Sequence, residues 1–549
     1  IENIAVIDEL GQKSLWQQHY GNIYKREITA PVWQLFVDDE QHMLARWPNA
    51  NFDLPSVTNH QSIYSDDVWA EGVFDSDKSQ NGIMTNNPAY HNLAAALDYR
   101  GEALNVDGAI VLANTASFYT YSRLVKAYDQ MLPTFQDLFK SSPDDTSVGH
   151  VAGSNSFTHE PIKSGYKGKQ LSYYVEAKLE LLDASNEWHY QVEDGKHFVY
   201  LWNDSGAEPT GTVTVRDTGY AFDVANWENV EISGLDYFAS TIKCSPCNNI
   251  TIADSNFKHS ATSLRVLKQY GDDKSGYGRN QLIELYSALD KRANSGIVFK
   301  NNVVTDSDVQ SLIIQGGQSV IENNLFERLD ATSADTISPH ATVMITKMTN
   351  QQATFSGNTM DIIGNSTMFV PEGGSLHALY NNMITGGFAQ NDGASFQLRK
   401  AQQAAANIAY NWAHDSEKYG IRFDAPFDTT DETSGGQFGL IHHNVVWNAK
   451  GIMVKGDDHR VYHNTTWNNA DIDLRMLVDP NPYYKHERTV TSNNASDSIS
   501  SDRSVESDSL AGVVGNNFNG LKESVTLVSQ LRDMFNYDFR PSRTGALHD

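Results

Sequence analysis

The chain has 549 residues, with 68 acidic against 41 basic side chains and a formal net charge of −27. That balance argues against nucleic acid and anionic membrane as partners, and no run reaches the roughly 20 apolar residues of a membrane-spanning helix. Charged residues at 20 % and hydrophobic ones at 40 % describe a folded chain long enough for a large core.

The chain begins at Ile1, without Met and without a basic-then-apolar leader. This reads as a mature protein, secreted or periplasmic, whose signal peptide has been removed. Residues 1–226 are expected to be a β-rich region leading into the first coils of a solenoid. Within it, 32–50 reads as a hairpin and 120–145 as a helix. Segments 170–226 are strand-like, separated by the Gly and Asp residues that hairpins need. Residues 227–485 are expected to form the regular coils, 486–518 a Ser/Asp/Asn-rich surface loop or linker, and 519–549 an apolar cap on the open end of the stack.

The coils announce themselves by repetition. A short apolar strand ends in an Asn followed within two residues by an apolar one, as in ITIADSNF (250–257), VIENNLF (320–326) and RVYHNTT (460–466). The Asn positions are Asn256, Asn302, Asn324, Asn358, Asn382, Asn411, Asn444 and Asn464. Steps of 20 to 34 residues fit single coils with variable insertions, and the one step of 46 fits two. The fold class this implies is all-β, a right-handed parallel β-helix. The Asn column is read as structural, each amide bonding to the next inside a turn. The two cysteines, Cys244 and Cys247 in CSPC, lack a second pair, and Cys244 falls on an inward position. They read as buried thiols or a small local disulfide rather than as a redox or metal site.

A second strand follows each Asn, for example SLIIQ (311–315), TVMIT (342–346), SFQLR (395–399), GIRFD (420–424) and GIMVK (451–455). Side chains alternate faces, so pairs such as Phe396/Leu398 and Ile421/Phe423 point inward. The outward column then reads Lys243, Arg265, Ile313, Met344, Phe369, Gln397, Arg422, Met453 and Asp473. Residues far apart in sequence become neighbours because coils stack about 4.8 Å apart.

Reactive side chains are densest between 390 and 460. Asp392 and Asp415 fall in the turn before the second strand of successive coils, and Asp424 closes the far end of that strand. Such a set suits glycoside hydrolysis, which needs an acid and a base or nucleophile. Carboxyls about 5–5.5 Å apart imply retention and about 6.5–9.5 Å inversion. His414 could tune the acid or bind substrate. Gln397, Asp457 and His459 belong to the same surface, and Arg265, Lys268, Lys347, Arg399, Lys400, Arg422, Lys455 and Arg475 form a basic stripe. In an acidic chain that stripe reads as a grip for sulfate or carboxylate on a long polymer. No cofactor is required, although Asp-rich turns could hold Ca²⁺.

The blocks WQLFVDDEQHMLARWPN (33–49), AKLELLDASNEWHYQVEDGKHFVYLW (177–202), VEISGLDYF (230–238), NWAHDSEKYGIRFD (411–424), HHNVVWN (442–448) and DFRPSRTGALHD (538–549) resemble those of secreted bacterial right-handed β-helix carbohydrate-active enzymes. The resemblance implies an active site on the exposed face of central coils, in a group that includes hydrolases of fucan, xylan and galactan as well as alginate and chondroitin lyases. The lyases' calcium-plus-Lys/Arg signature is not recognisable. The leading expectation is therefore an endo-acting glycoside hydrolase on an anionic, sulfated marine polysaccharide of fucan or carrageenan type, with Asp392, Asp415 and Asp424 catalytic. A polysaccharide lyase using Lys400, Arg422, Lys455 or His414 and a non-catalytic glycan-binding solenoid are the alternatives. Oligomeric state is not legible.

Overall fold

The computed structural model describes residues 2, 4–6, 15–56, 58–75, 82–116, 118–126, 152–160, 169–269, 280–390, 392–424, 436–478, 485–503 and 509–547. From Phe222 to Asn519 the chain winds through three parallel sheets of eleven strands each. The first sheet runs from Phe222–Val224 to Ile499–Ser500, the second from Trp227–Ser233 to Val513–Gly515, and the third from Asp236–Phe238 to Phe518–Asn519. The chain visits them in that order on every coil, so this is the expected parallel β-helix.

Inward side chains fill the solenoid as stacked columns. Tyr237 and Phe257, register partners on the third sheet, stack at 4.3 Å between ring centroids with their planes 3° apart. Ile314, Ile345, Leu398, Phe423 and Val454 are completely buried. A polar column sits in the turn between the second and third sheets. There Asn302, Asn324, Asn358, Asn381, Asn411, Asn444, Asn464, Asn494 and Asn517 bond amide to amide at 2.9–3.2 Å. Each Nδ2 also donates to a backbone carbonyl of a neighbouring coil, as Asn358 does to Ile321 at 3.0 Å. Buried amides are tolerated there because each is paired.

The column departs from the expected one at both ends and in the middle. Asn381, not Asn382, is its member in the NNM segment. Asn256 lies on an exposed strand bonded to Asp236, and Ser255 holds the column position, donating its N–H to Asn302 Oδ1. Asn494 and Asn517 extend it through the segment expected to be a linker: Val490–Ser492, Ala495–Ser496 and Ile499–Ser500 are strands of the three sheets. These strands are short and poor in apolar residues, so nothing but the Asn positions marks them. The 46-residue step is a single coil carrying an insertion, because Asn256–Lys258 pairs directly with Val303–Thr305. Within that insertion Arg265–Leu267 forms a 3-10 turn ending at left-handed Lys268, not a strand, and Ile283–Tyr286 supplies the first-sheet strand instead.

Residues before Phe222 form three further, mostly antiparallel sheets. Tyr119–Leu124 is a strand paired with Ile110–Ala116, where a helix was expected to begin. The remainder of that expected helix, 127–145, lies outside the described residues. This N-terminal layer packs on the outer face of the first sheet, where Ile313, Met344 and Val370 are buried among Trp69, Ile110 and Leu112. Val370 rather than Phe369 faces outward, because Met344 pairs with Val370. By the same register Arg475 rather than Asp473 faces outward beyond Met453. Cys244 and Cys247 are both free and buried in the first coils.

Candidate functional site

The outer column of the first sheet changes character along its length. Under the N-terminal layer it is apolar: Ile313, Met344 and Val370. Beyond it the column reads Gln397, Arg422, Met453 and Arg475. Asp424 is the register partner of Arg399 on the neighbouring coil, and Asp392 enters from the turn just before Ala394–Arg399.

Arg422 joins the two acids. Its Nη1 donates to Asp392 Oδ1 at 2.5 Å, and its Nη2 lies 3.0 Å from Asp424 Oδ2. Lys455 Nζ lies 3.0 Å from Asp424 Oδ1. One guanidinium therefore spans two carboxylates from neighbouring coils. Burial would lower the Arg422 pKa, but Asp424 and Asp392 outweigh it and raise the guanidinium above its ordinary value. Beside this group Tyr419 Oη donates to Asp471 Oδ2 at 3.2 Å and accepts from Arg475 Nη1 at 3.1 Å; Arg475 also pairs with Asp471. Burial pushes the Tyr419 phenol up and the nearby Lys418 ammonium down to about 8.

The tip of the N-terminal hairpin forms an aromatic lip over the same coils. The Phe118 ring lies 5.6 Å from the Arg399 guanidinium carbon, and Tyr119 meets His340 edge-on at 4.6 Å. Tyr119 and Tyr121 stack at 5.8 Å with their planes 9° apart. Burial, followed by Arg399, lowers His340 to about 4, so its imidazole is neutral near pH 7; its Nδ1 lies 2.9 Å from Thr336 Oγ1. Sequence reasoning missed this lip. Its signal was the aromatic run SFYTY (117–121), which belongs to a hairpin rather than to a helix.

The structure brings together Asp392, Asp424, Gln397, Arg399, Arg422 and Lys455. It places Asp415 elsewhere, directly after the third-sheet strand Trp412–His414. Asp415 accepts from Asn448 Nδ2 at 2.8 Å and lies 2.7 Å from His414 Nδ1, while His414 stacks on Trp447 at 4.0 Å. Arg265 is buried in ion pairs with Glu176 and Asp308, and Lys268 donates to the Gly108 carbonyl at 2.9 Å. Asp457 accepts the Lys485 and Glu487 amides, and His459 is fully buried, accepting from the Gly439 N–H at 3.1 Å. Both support turns. Lys347 and Lys400 are exposed. The basic stripe is thus largely neutralised from within: Arg265, Arg422, Lys455 and Arg475 each hold a protein carboxylate, Lys455 that of Asp424 on the neighbouring coil and Arg475 that of Asp471 on its own. Among the described residues no three His, Cys, Asp or Glu side chains converge as a metal site would require.

No known family description matches the chain. No curated protein matches it either. Among solved structures, one titled glycoside hydrolase is similar at 10 % identity and a TM-score of 0.44, over 96 % of this chain and 83 % of that one. The complex of XylC with xylose follows at 11 % identity and 0.33, over 94 % and 75 %. A catalytic-domain variant of a GH87 alpha-1,3-glucanase in complex with nigerose follows at 10 % and 0.29, over 89 % and 95 %. Likeness this distant adds no residue roles.

Proposed function

We propose that the chain is a glycoside hydrolase that cleaves a polysaccharide lying across the outer face of the first sheet. The observation that carries this is the pair Asp392 and Asp424, facing each other across Arg422 where the sheet emerges from under an aromatic lip. Hydrolysis of a glycosidic bond needs two carboxyls on opposite sides of the bond. Asp424 is gripped by Arg422 and Lys455 and Asp392 by Arg422 alone, and together they are the candidates for the acid and for the base or nucleophile. Phe118 and Tyr119 offer apolar faces for sugar rings, and neutral His340 a hydrogen bond. Such enzymes' likeness in fold, remote as it is, agrees with this class.

The finer reading is an endo-acting enzyme on a sulfated polymer of fucan or carrageenan type, secreted, without a required cofactor. It rests on Arg399, Lys347 and Lys400, exposed or half-buried cations of the stripe for which no ion pair with a carboxylate is seen among the described residues. A screen of the purified chain on fucoidan, carrageenans, agar, alginate and xylan tests both levels. New reducing ends without double bonds are expected, on the sulfated polymers most of all. Unsaturated products would make the chain a lyase, and binding without cleavage a glycan-binding solenoid. Asp424→Asn and Asp392→Asn should each lower turnover at least 100-fold with binding retained. An equal loss in Asp415→Asn alone would move the chemistry to the third-sheet turn.

A further inference from the structure

The segment LIHHNVV carries two consecutive histidines that the groove on the first sheet does not use. His442 ends the second-sheet strand Leu440–His442, and His443 opens the turn that leads to Asn444 of the buried amide column. Consecutive side chains on a strand point to opposite faces. At His443 the backbone is left-handed, with φ of 55°, and the alternation breaks. The two Nδ1 atoms stand 2.8 Å apart. Both rings are fixed by stacking. His442 lies on Tyr462 at 4.8 Å with the planes 9° apart, and His443 lies 4.9 Å from both Tyr410 and His463. The same two positions on the neighbouring coils are Ala409–Tyr410 and Tyr462–His463, so of the three coils this one alone supplies two imidazoles.

The tautomer of His442 is set by its neighbour. Its Nε2 lies 2.9 Å from Asn407 Oδ1. An amide oxygen only accepts, so Nε2 carries the proton and Nδ1 presents a lone pair. Metal-binding histidines are oriented in just this way, by an acceptor on the nitrogen that does not touch the metal. His443 Nδ1 faces that lone pair. With its proton on Nδ1 it donates to His442; with the proton moved to Nε2, two lone pairs converge. Metal–imidazole bonds are about 2.0–2.1 Å, so one ion bonded to both nitrogens at this separation would see them at about 85°. That is the cis angle of square-planar or octahedral coordination, whereas a tetrahedral ion would need the nitrogens about 3.3 Å apart. Among N-binding divalent ions Cu²⁺ heads the affinity order and takes tetragonal geometry. Burial, followed by neighbouring imidazoles, lowers both His442 and His443, which keeps them neutral and able to bind near pH 7. Among the described residues no third His, Cys, Asp or Glu completes the set, so the site is a two-point chelate with water in its other positions.

We propose that His442 and His443 chelate one Cu²⁺ ion through their Nδ1 atoms, with Asn407 as the positioning residue. The site lies where the second sheet turns toward the third, apart from the first-sheet groove, and does not rest on the hydrolase reading. Titration calorimetry and electron paramagnetic resonance on the full, untagged, chelator-stripped chain test it, with CuCl₂, NiCl₂, ZnCl₂ and MgCl₂ as probes. One Cu²⁺ is expected to bind per chain in the micromolar range with two imidazole nitrogens in its spectrum. Zn²⁺ should bind at least tenfold more weakly and Mg²⁺ not measurably. His443→Asn suits the left-handed turn, and His442→Phe keeps the ring on Tyr462. Each should weaken Cu²⁺ at least tenfold and remove one nitrogen from the spectrum. Asn407→Leu should weaken it about tenfold and keep both nitrogens. Native circular dichroism is checked for each, and His443→Asn decides alone if His442→Phe does not fold. The proposal is overturned if Cu²⁺ does not bind saturably, which would leave the pair a plain N–H···N hydrogen bond. It is equally overturned if Zn²⁺ binds as tightly, or if His443→Asn binds Cu²⁺ unchanged. Unchanged affinity in Asn407→Leu would overturn the role given to Asn407.

Discussion

Arg422 carries more of the site than its sequence context suggests. Read from the chain alone it is a cation on an outward column, suited to gripping an anion on the substrate. In the fold it is committed to two of the protein's own carboxylates. Removing it leaves Asp392 and Asp424 facing each other without the intervening guanidinium, and like charges push one carboxyl of such a pair upward. On the hydrolase reading, Arg422→Ala should therefore lose activity by 100-fold or more, and what remains should have its acid limb displaced to higher pH. A profile of kcat/KM against pH checks this; an unshifted limb would mean that Arg422 does not couple the two acids. That Asp392 and Asp424 lie close together was legible because both lie within a few residues of a regular strand. Asp415 misled because the turn between the third and first sheets varies in length: Asp415 directly follows one strand, whereas Asp392 stands two residues before the next. Counting along the chain places strands well and turn residues poorly.

Strands and turns show why the solenoid itself was readable. Alternation gave the inward pairs directly, since a one-residue slip would turn Leu398 or Phe423 out of the core. The Asn column was readable as a motif, although Asn381 and Asn382 could not be told apart when both neighbours are Asn. Its energetic role is testable at Asn411, which is completely buried. Asn411 donates to the Ala378 carbonyl at 2.9 Å and to Asn444 Oδ1 at 3.0 Å, and its Oδ1 accepts from Asn381. Asn411→Ala strands several of these groups and should cost about 2–5 kcal/mol in urea unfolding. A cost below 1 kcal/mol would show that the column sets register without stabilising it. Just before each column Asn sits a left-handed residue: Asn301, Asn323, Gly357, Tyr380, Tyr410, His443, His463, Asn493 and Asn516. His443 is exposed, 4.9 Å from His463 between ring centroids, and burial followed by His463 lowers its pKa. A lowered imidazole contributes stability above the unfolded value near 6.5 and loses it as pH falls below that. Asn tolerates the left-handed backbone better than His does. His443→Asn should therefore raise Tm more at pH 5 than at pH 8; an equal shift at both would leave only the backbone effect.

At the scale of the molecule, the candidate site is framed by how the N-terminal layer is docked, and this was the least legible part of the chain. A hairpin shows in sequence, but the face it covers is set by contacts across more than 200 residues. The docking is chemically specific. Asp335, in the turn between the third and first sheets, receives Arg123 Nη1 at 3.1 Å and a hydrogen bond from Ser122 Oγ, and its N–H donates to the Thr120 carbonyl at 2.8 Å. Both ionic side chains are at most 4 % exposed. Asn114 Nδ2 adds a bond to the Ala389 carbonyl at 2.9 Å, and Gln390 Nε2 one to Thr120 Oγ1 at 3.2 Å. These contacts hold the hairpin whose tip carries Phe118 and Tyr119 to the coils that carry Arg399 and Asp424. Breaking a buried pair from one side costs about 3–5 kcal/mol, because the other charge stays in a dry seam. Asp335→Ala should therefore loosen the layer without unwinding the solenoid. Hydrogen exchange should speed up in Ile110–Ala116 and Tyr119–Leu124, while Leu440–His442 and Arg460–Tyr462, whose register pairs lie within the stack, stay protected. On the hydrolase reading the same variant raises KM more than it lowers kcat, since it frees the aromatic lip and leaves the Asp392–Arg422–Asp424 group in place. Uniform loss of protection through all coils would show instead that layer and solenoid fold as one cooperative unit.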